Sequence, residues 1–182
     1  MSAAPYRSQA HRAIHRALSA LSGTAEVAKF LGRTWKVDVS HPLEIMTFQV
    51  LPIGREDLRA NAVHFGWRYL LHVGGRLALA DVLEREDERT KLRRLVTGPA
   101  AARVGRKLRA AARMPGKRDL VALDLPSLRI YAVWARDKVT SRDRFVFLTE
   151  GRRRRVRTAT TAGFLKVIAD RSAAVQAGTA PG

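Results

Sequence analysis

Residues 67–82 contain the feature that most restricts the fold of this chain. Two strand-like runs, WRYLLHV and RLALADV, are separated only by Gly74 and Gly75. Glycine readily adopts the positive φ angles that a two-residue type I′ turn requires, so this segment predicts a β-hairpin. Because a hairpin pairs antiparallel neighbours, it directs the fold towards an antiparallel sheet.

Other apolar runs also come in local pairs. In TWKVDVS, Trp35, Val37 and Val39 alternate with polar residues, and Pro42 is predicted to interrupt the chain before a second strand in LEIMTFQVLPI. The runs DLVALDL and LRIYAVWA, divided by a Pro-Ser turn, form another pair, and RFVFLTEG predicts a further strand. Paired strands, rather than single strands alternating with helices, favour an α+β fold.

Apolar residues at helical spacing mark the helices. Ser8 is predicted to cap a helix that runs to about Gly32. The segment from Glu84 to Val96 and residues 100–113, separated by a Gly-Pro pair, predict a central pair of helices. The final helix is expected from about Thr161 to Gln176, with its apolar side chains buried: Phe164, Leu165, Val167 and Ile168.

We therefore predict one α+β domain over residues 8–176, between flexible tails at 1–7 and 177–182. Its mainly antiparallel sheet would be packed by an N-terminal helix, the central helix pair and a C-terminal helix. The length of 182 residues suits one medium-sized domain.

Composition limits the kinds of site that the chain can form and the cell compartment that we expect for it. The chain has no cysteine, which excludes disulfides, thiolate metal sites and a cysteine nucleophile. No apolar run reaches the length of a membrane span, and Arg and His near the N-terminus replace the apolar core of a signal peptide. These features predict a non-exported, cytoplasmic protein that does not bind membranes.

The formal net charge of +18 is concentrated in the later half of the chain. Residues 1–90 have a net charge of +2, whereas residues 91–182 have a net charge of +16. Such asymmetry predicts an anionic partner. A GC-rich genome offers a second explanation, because it also favours Arg (27 residues) over Lys (7 residues). Codon bias does not by itself explain the missing acids, and both explanations remain open.

Two basic segments form the predicted binding surface. In the helix over 100–113, one arc is apolar: Ala101, Val104, Leu108, Ala111 and Ala112. The opposite arc is basic: Arg103, Arg106, Lys107, Arg109 and Arg113. The second segment is the run of Arg152, Arg153, Arg154, Arg155 and Arg157. Clustered guanidinium groups suit phosphate, so these residues predict a nucleic-acid or polyanion interface.

The same cations allow an alternative partner. The chain contains no helix-turn-helix, zinc-finger or aromatic ribonucleoprotein motif, so nucleic-acid binding would depend on backbone charge. An acidic protein could also be steered by this surface, which would make the chain an assembly subunit. Solvated helix and loop faces without a ligand are the third possibility.

Catalytic and metal-binding patterns are weak. His11 and His15 have the i, i+4 spacing of metal ligands, but HRAIH lacks the zincin glutamate. His64 and His72 have no partner at a recognised spacing. The acidic segment Asp81, Glu84, Glu86, Asp87 and Glu88 is interrupted by arginines and is typical of a solvated helix start. We therefore predict no catalytic residue, no metal and no cofactor, and an enzyme that uses His64, His72, Asp81 or Glu84 stays an open alternative.

Residues Gly75–Gly151 resemble an uncharacterised bacterial α/β domain found in hypothetical proteins. The resemblance depends on GGRLALADVL, on LRRLVTGPAAARVGRKLRAAARM and on LPSLRIYAVWARD followed by DRFVFLTEG. It covers less than half of the chain and implies no activity. It implies only structural roles for Pro126, Ile130 and Trp134.

Overall fold

The computed structural model describes residues 12–16, 18–19, 37–48, 57–73, 76–84, 90–140, 142–148 and 157–178. Over these residues the protein has a mixed, mostly antiparallel sheet of eight strands together with helices, which confirms the α+β class. The chain divides into two compact units. Unit 1 comprises Met1–Leu43 and Phe65–Gly105, and unit 2 comprises Glu44–His64 and Arg106–Gly182. The prediction of a single domain stays a prediction.

The elements follow one another along the chain as follows. The strands are β1 Val37–Phe48, β2 Ala62–Val73, β3 Arg76–Glu84, β4 Thr90–Val96, β5 Arg118–Leu125, β6 Ile130–Asp137, β7 Arg144–Phe147 and β8 Thr158–Thr160. The central helix is Gly98–Ala112, the last helix is Thr161–Gln176, and a 3₁₀ turn spans Pro126–Leu128. Residues 12–16 and 18–19 are also helical; the rest of the predicted N-terminal helix lies outside the described residues. Of the helices described, none combines the length and the apolar character needed to cross a bilayer.

The predicted hairpin forms the centre of unit 1. β2 and β3 pair antiparallel up to Val73 and Arg76, the two residues that flank the glycine pair. One face of the hairpin is apolar and packs against two residues of the N-terminal helical segment, Ile14 and Leu18. The side chains of this core alternate along each strand: Tyr69, Leu71, Val73, Ala78, Ala80 and Val82.

The prediction of a helix from Glu84 to Val96 is wrong, because this segment supplies the end of β3 and the whole of β4. The cause is a bulge at Asp81/Val82, where Leu92 pairs with Val82 but Arg94 pairs with Asp81, so that Arg93 is the extra residue. The bulge brings Leu92 and Leu95 against the same core cluster. A spacing of three residues, which indicates a helix in sequence, arises here from an irregular strand.

The prediction that Pro42 separates two strands is also wrong. β1 continues from Val37 to Phe48 through Pro42, since the fixed φ of proline is compatible with extended backbone and only its N–H donor is missing. β1 also makes the sheet mixed, because it pairs parallel with β5 at Ile45–Ala122 and Met46–Leu123. Trp35 lies outside the described residues.

Unit 2 has its own core, on strands in the order β1-β5-β6-β7-β8. β5 and β6 pair antiparallel, as predicted. The last helix begins at the predicted Thr161, where the Thr160 hydroxyl accepts a hydrogen bond from the Gly163 amide at 3.3 Å. Its Phe164 ring stacks on Phe145 with ring centroids 4.1 Å apart, and both belong to the main core cluster.

Gly66 tests how closely β2 and β3 approach. A Cβ atom at this position would lie 2.4 Å from the backbone oxygen of Val82, and the Gly66 φ is +157°. We expect Gly66→Ala to lower the free energy of unfolding by more than about 2 kcal/mol, because a backbone atom would have to move. Chemical denaturation measures the change.

The matched control is Gly163→Ala. A Cβ there would make ordinary contacts of 3.5 and 3.6 Å with Ala159 and Thr160, within a helix that favours alanine. The control should be neutral or stabilising by up to about 1 kcal/mol. Equal effects of the two substitutions would refute the close approach at Gly66.

Candidate polyanion interface

Acidic side chains of the described residues are placed inside the protein to an unusual degree. Four aspartates are buried: Asp81, Asp124, Asp137 and Asp143. The complete sequence has only 16 Asp and Glu residues against 34 Lys and Arg residues. A buried carboxylate is not available to pair with cations at the surface, and Arg68 is buried together with Asp81.

In unit 1, Asp81 lies between two arginines on neighbouring strands. Arg68 on β2 donates two hydrogen bonds to its carboxylate at 2.7 and 2.9 Å, and Arg94 on β4 donates two more to Asp81 Oδ2 at 2.8 and 2.6 Å. Burial alone would raise the pKa of Asp81. The bonds and charges of the two arginines outweigh it, so the pKa is lowered. Together, Arg68, Asp81 and Arg94 carry a net charge of +1.

This geometry corrects the prediction for the acidic segment. Asp81 is not part of a solvated helix start but is a buried strand residue. Glu84 is the last residue of β3, and Glu86, Asp87 and Glu88 lie outside the described residues.

In unit 2, Asp143 is the centre of a second network. Its carboxylate accepts bonds from Arg59 Nη2 at 2.6 Å, Arg59 Nε at 3.2 Å, the Trp134 indole N–H at 2.8 Å and the Asp137 amide at 2.9 Å. The hydrogen bond to Asp143 raises the pKa of the Arg59 guanidinium above its ordinary value. Four N–H donors therefore satisfy the buried carboxylate of Asp143.

Asp137 closes the turn that follows β6. Its Oδ1 accepts hydrogen bonds from the amides of Thr140 at 2.8 Å and Val139 at 2.9 Å. These bonds lower the pKa of Asp137 to about 2. Its other oxygen lies 3.5 Å from Arg118 Nη2. Both carboxylates that flank this turn are therefore engaged by groups of the protein itself.

The predicted basic helix exists and presents most of its cations to solvent. Arg103, Arg106, Arg109 and Arg113 are exposed, and none of them forms an ion pair with another residue that the structure describes. The opposite side is buried at Ala101, Leu108 and Ala111. Ala112, which was predicted on the apolar arc, is exposed because it is the last helical residue.

Lys107 differs from the other cations predicted on this helix. It is half-buried, and its ammonium donates hydrogen bonds to the carbonyl oxygens of Phe147 at 2.7 Å and Leu148 at 3.0 Å. The Lys107 ammonium is therefore directed at main-chain carbonyls, and its assignment to the binding surface stays a prediction. Its role in the structure is to join the central helix to the end of β7.

Arg157, from the second predicted segment, contacts Phe147, the residue whose carbonyl also accepts a hydrogen bond from Lys107. Arg157 is exposed, its guanidinium lies 5.4 Å from the centroid of the Phe147 ring, and its carbonyl accepts the Phe147 amide at 3.2 Å. Phe147 thus contacts both Lys107 and Arg157 within unit 2. Arg152, Arg153, Arg154 and Arg155 lie outside the described residues.

Some later cations are neutralised by earlier carboxylates, which sequence analysis did not anticipate. Besides Arg94 with Asp81, Arg136 lies 3.5 Å from Glu44 and 2.7 Å from Asp119. Strand pairing, rather than sequence proximity, creates these contacts. Only part of the +16 in residues 91–182 is therefore available at the surface.

A further group of exposed cations, which no local sequence pattern predicts, follows the basic helix along the chain. Lys117, Lys138 and Arg142 are exposed at the end of the sheet where β5 begins and β6 ends. The signal was present in the paired runs DLVALDL and LRIYAVWA, because an antiparallel pair brings the start of one strand beside the end of the next.

Histidines do not form a site within the described part of the chain. His64 and His72 are exposed and His15 is half-buried, whereas His11 lies outside the described residues. No group of three or more His, Asp or Glu residues is arranged to hold a metal ion among the residues described.

Asp143→Asn tests the network in unit 2. Asparagine replaces one accepting oxygen of Asp143 by an NH₂ group, which cannot accept a hydrogen bond. The indole N–H of Trp134 or the Arg59 guanidinium would then lose its acceptor. We expect the free energy of unfolding to fall by about 2 to 4 kcal/mol. Asp170→Asn, on the exposed surface of the last helix, should change it by less than about 0.5 kcal/mol. Urea denaturation distinguishes the two, and similar effects would contradict the assignment.

Asp137→Asn tests the depressed pKa, since asparagine still offers an oxygen to both amides. Because the folded pKa of about 2 lies below the unfolded value of about 3.9, the charge contributes stability that is fully present above the unfolded pKa. This contribution is lost as the pH falls towards about 2. The variant should be less stable than the parent at neutral pH, and the gap in urea midpoint should close between about pH 4 and pH 2. A gap that does not change with pH would exclude this role.

Comparison with known proteins gives no relative for this chain. No family model, no curated protein and no solved structure matches it.

Proposed function

We propose that this protein binds nucleic acid, or another phosphate-bearing polyanion, without catalysis and through contacts to the charged backbone. The observation that carries the proposal is the row Arg106, Arg109 and Arg113 in unit 2. All three are exposed, and no ion pair links them to another described residue. The sequence adds Arg103, one turn earlier, and Arg152 to Arg155 before Arg157.

A purely structural reason for the row is insufficient. Arg109 and Arg113 lie at the carboxyl end of the helix, where each cation gains about 0.3 to 1 kcal/mol from the helix dipole. Arg106 and Arg109 are three residues apart and Arg109 and Arg113 are four apart, and each such like-charge pair opposes the helix by about 0.2 to 0.5 kcal/mol. The two effects nearly cancel. An anionic ligand that neutralises the row removes the repulsion, so its binding stabilises the folded helix.

Arginine favours phosphate over other anions at such a surface. The guanidinium group is planar, weakly hydrated and able to donate two parallel hydrogen bonds to one phosphate. Residues at 106, 109 and 113 follow one side of a helix, so the row has the linear form of a phosphodiester chain. We further propose a cytoplasmic location, which the absence of cysteine supports.

The test compares three proteins by fluorescence anisotropy with a labelled DNA duplex of about 20 base pairs, or two helical turns. The helix variant carries Arg106→Gln, Arg109→Gln and Arg113→Gln. The control variant carries Arg16→Gln, Lys91→Gln and Lys166→Gln, which removes three exposed charges elsewhere. We expect the parent to bind with strong salt dependence, and the helix variant to lose about 2 to 3 from the slope of log K against log salt.

The control should retain most of the affinity, because its three residues belong neither to the arginine row nor to the run from Arg152 to Arg157. Replacing Arg152 to Arg155 by Ser is expected to weaken binding too. Failure of the parent to bind at low salt would eliminate the proposal. Co-purification of an acidic protein that survives nuclease treatment would instead favour the assembly-subunit alternative.

A further inference from the structure

The group of cations that sequence analysis missed lies on two loops that the protein holds together. We call them the loop pair: residues 113–117, which lead into β5, and residues 138–140 with Arg142, which follow β6. The Lys138 amide donates to the Lys117 carbonyl at 3.1 Å, which joins the two loops directly. Both belong to unit 2.

Arg118 holds the loop pair from beneath. Its guanidinium donates to the carbonyl oxygens of Pro115 at 2.8 Å, Arg142 at 3.1 Å and Ala135 at 3.3 Å. Only 12 % of its side chain is exposed. The Arg118 guanidinium is therefore bonded within the fold. Its hydrogen bonds fix the backbone of the two loops that carry the other three cations.

The three cations of the loop pair are Lys117, Lys138 and Arg142. Each is exposed, and none forms an ion pair with a described residue. The neighbouring carboxylates are unavailable to them in this structure, because Asp137 accepts two amide bonds and Asp143 accepts four bonds from other donors. The loop pair thus carries three positive charges on joined loops, while Asp137 and Asp143 are bonded to other groups.

Gly116 shows that the backbone is fitted around this arrangement. Its φ is +96°, a conformation that L side chains rarely adopt. A Cβ atom there would lie 3.6 Å from Asp137 Oδ2. The turn from the helix into β5 is therefore set by the chain itself, so the cations need no ligand to bring them together.

We propose that the loop pair is a second phosphate-contacting surface, where Lys117, Lys138 and Arg142 bind the same nucleic-acid backbone as the arginine row. This inference rests on the proposed function and extends its footprint. Arg113 belongs to both surfaces, since it ends the row and begins the first loop. A pre-formed cluster loses little conformational entropy on binding, which favours it as a contact.

An anionic lipid surface is the competing ligand, because Val139 between these cations is 78 % exposed. Burial of one valine contributes little to membrane binding, since even a whole myristoyl chain gives only marginal binding. A single aliphatic tip therefore adds too little for a membrane anchor. Phosphodiester contacts need no apolar anchor, so the observations favour nucleic acid.

The test adds a loop variant with Lys117→Gln, Lys138→Gln and Arg142→Gln to the anisotropy experiment, with the same duplex and control variant. Circular dichroism melting checks that each protein is folded. We expect the loop variant to bind at least about tenfold more weakly at low salt, and its salt slope to fall by about 2 to 3, or about 0.9 for each lost phosphate contact. The control should retain most of both quantities.

Three results would overturn the inference: an unchanged slope in the loop variant, an equal loss in the control variant, or phosphatidylserine vesicles that bind the parent and not the loop variant while duplex binding stays intact. If the parent binds DNA and only the helix variant is weakened, the proposed function survives and the loop pair is excluded. If the parent binds no nucleic acid, the proposed function itself fails.

Discussion

Burial of aspartate beside arginine is the interaction on which the surface of this protein depends. Asp81 in unit 1 is bonded by Arg68 and Arg94, and Asp143 in unit 2 is bonded by Arg59. Breaking such a pair leaves a buried charge uncompensated, so these acids cannot turn outwards without a large loss of stability. A chain with few acids that places several of them inside has fewer carboxylates left to pair with the exposed arginines of its central helix.

This arrangement connects folding to binding. Self-repulsion between exposed arginines opposes the compact state, and a phosphate backbone relieves it. A third aspartate supports the proposed binding surface, because Asp137 closes the turn that carries Lys138 and lies 3.5 Å from Arg118. The free energy of unfolding should therefore rise when an anionic ligand binds, since a ligand of the native state stabilises that state by mass action.

Much of the fold follows from local pattern, and the failures have identifiable causes. The hairpin at Gly74-Gly75 and the last helix were predictable because turn chemistry, capping and periodicity agree there. β4 was not, because a bulge gives Leu92 and Leu95 a helical spacing. Helical periodicity of about 100° per residue predicted the exposed arginines of the central helix. The contact of Lys107 with Phe147 and the proximity of Lys117 to Lys138 depend on long-range pairing, which no local pattern contains.

The central claim is that surface cations left unmatched by acids bind nucleic acid. Its most direct test is the ultraviolet spectrum of the protein, expressed in a host cell and purified at low salt, before and after washing at high salt. The account predicts excess absorbance in the nucleic-acid band that disappears on washing and is sensitive to nuclease. If the protein purified at low salt already shows the spectrum of pure protein, the account is contradicted.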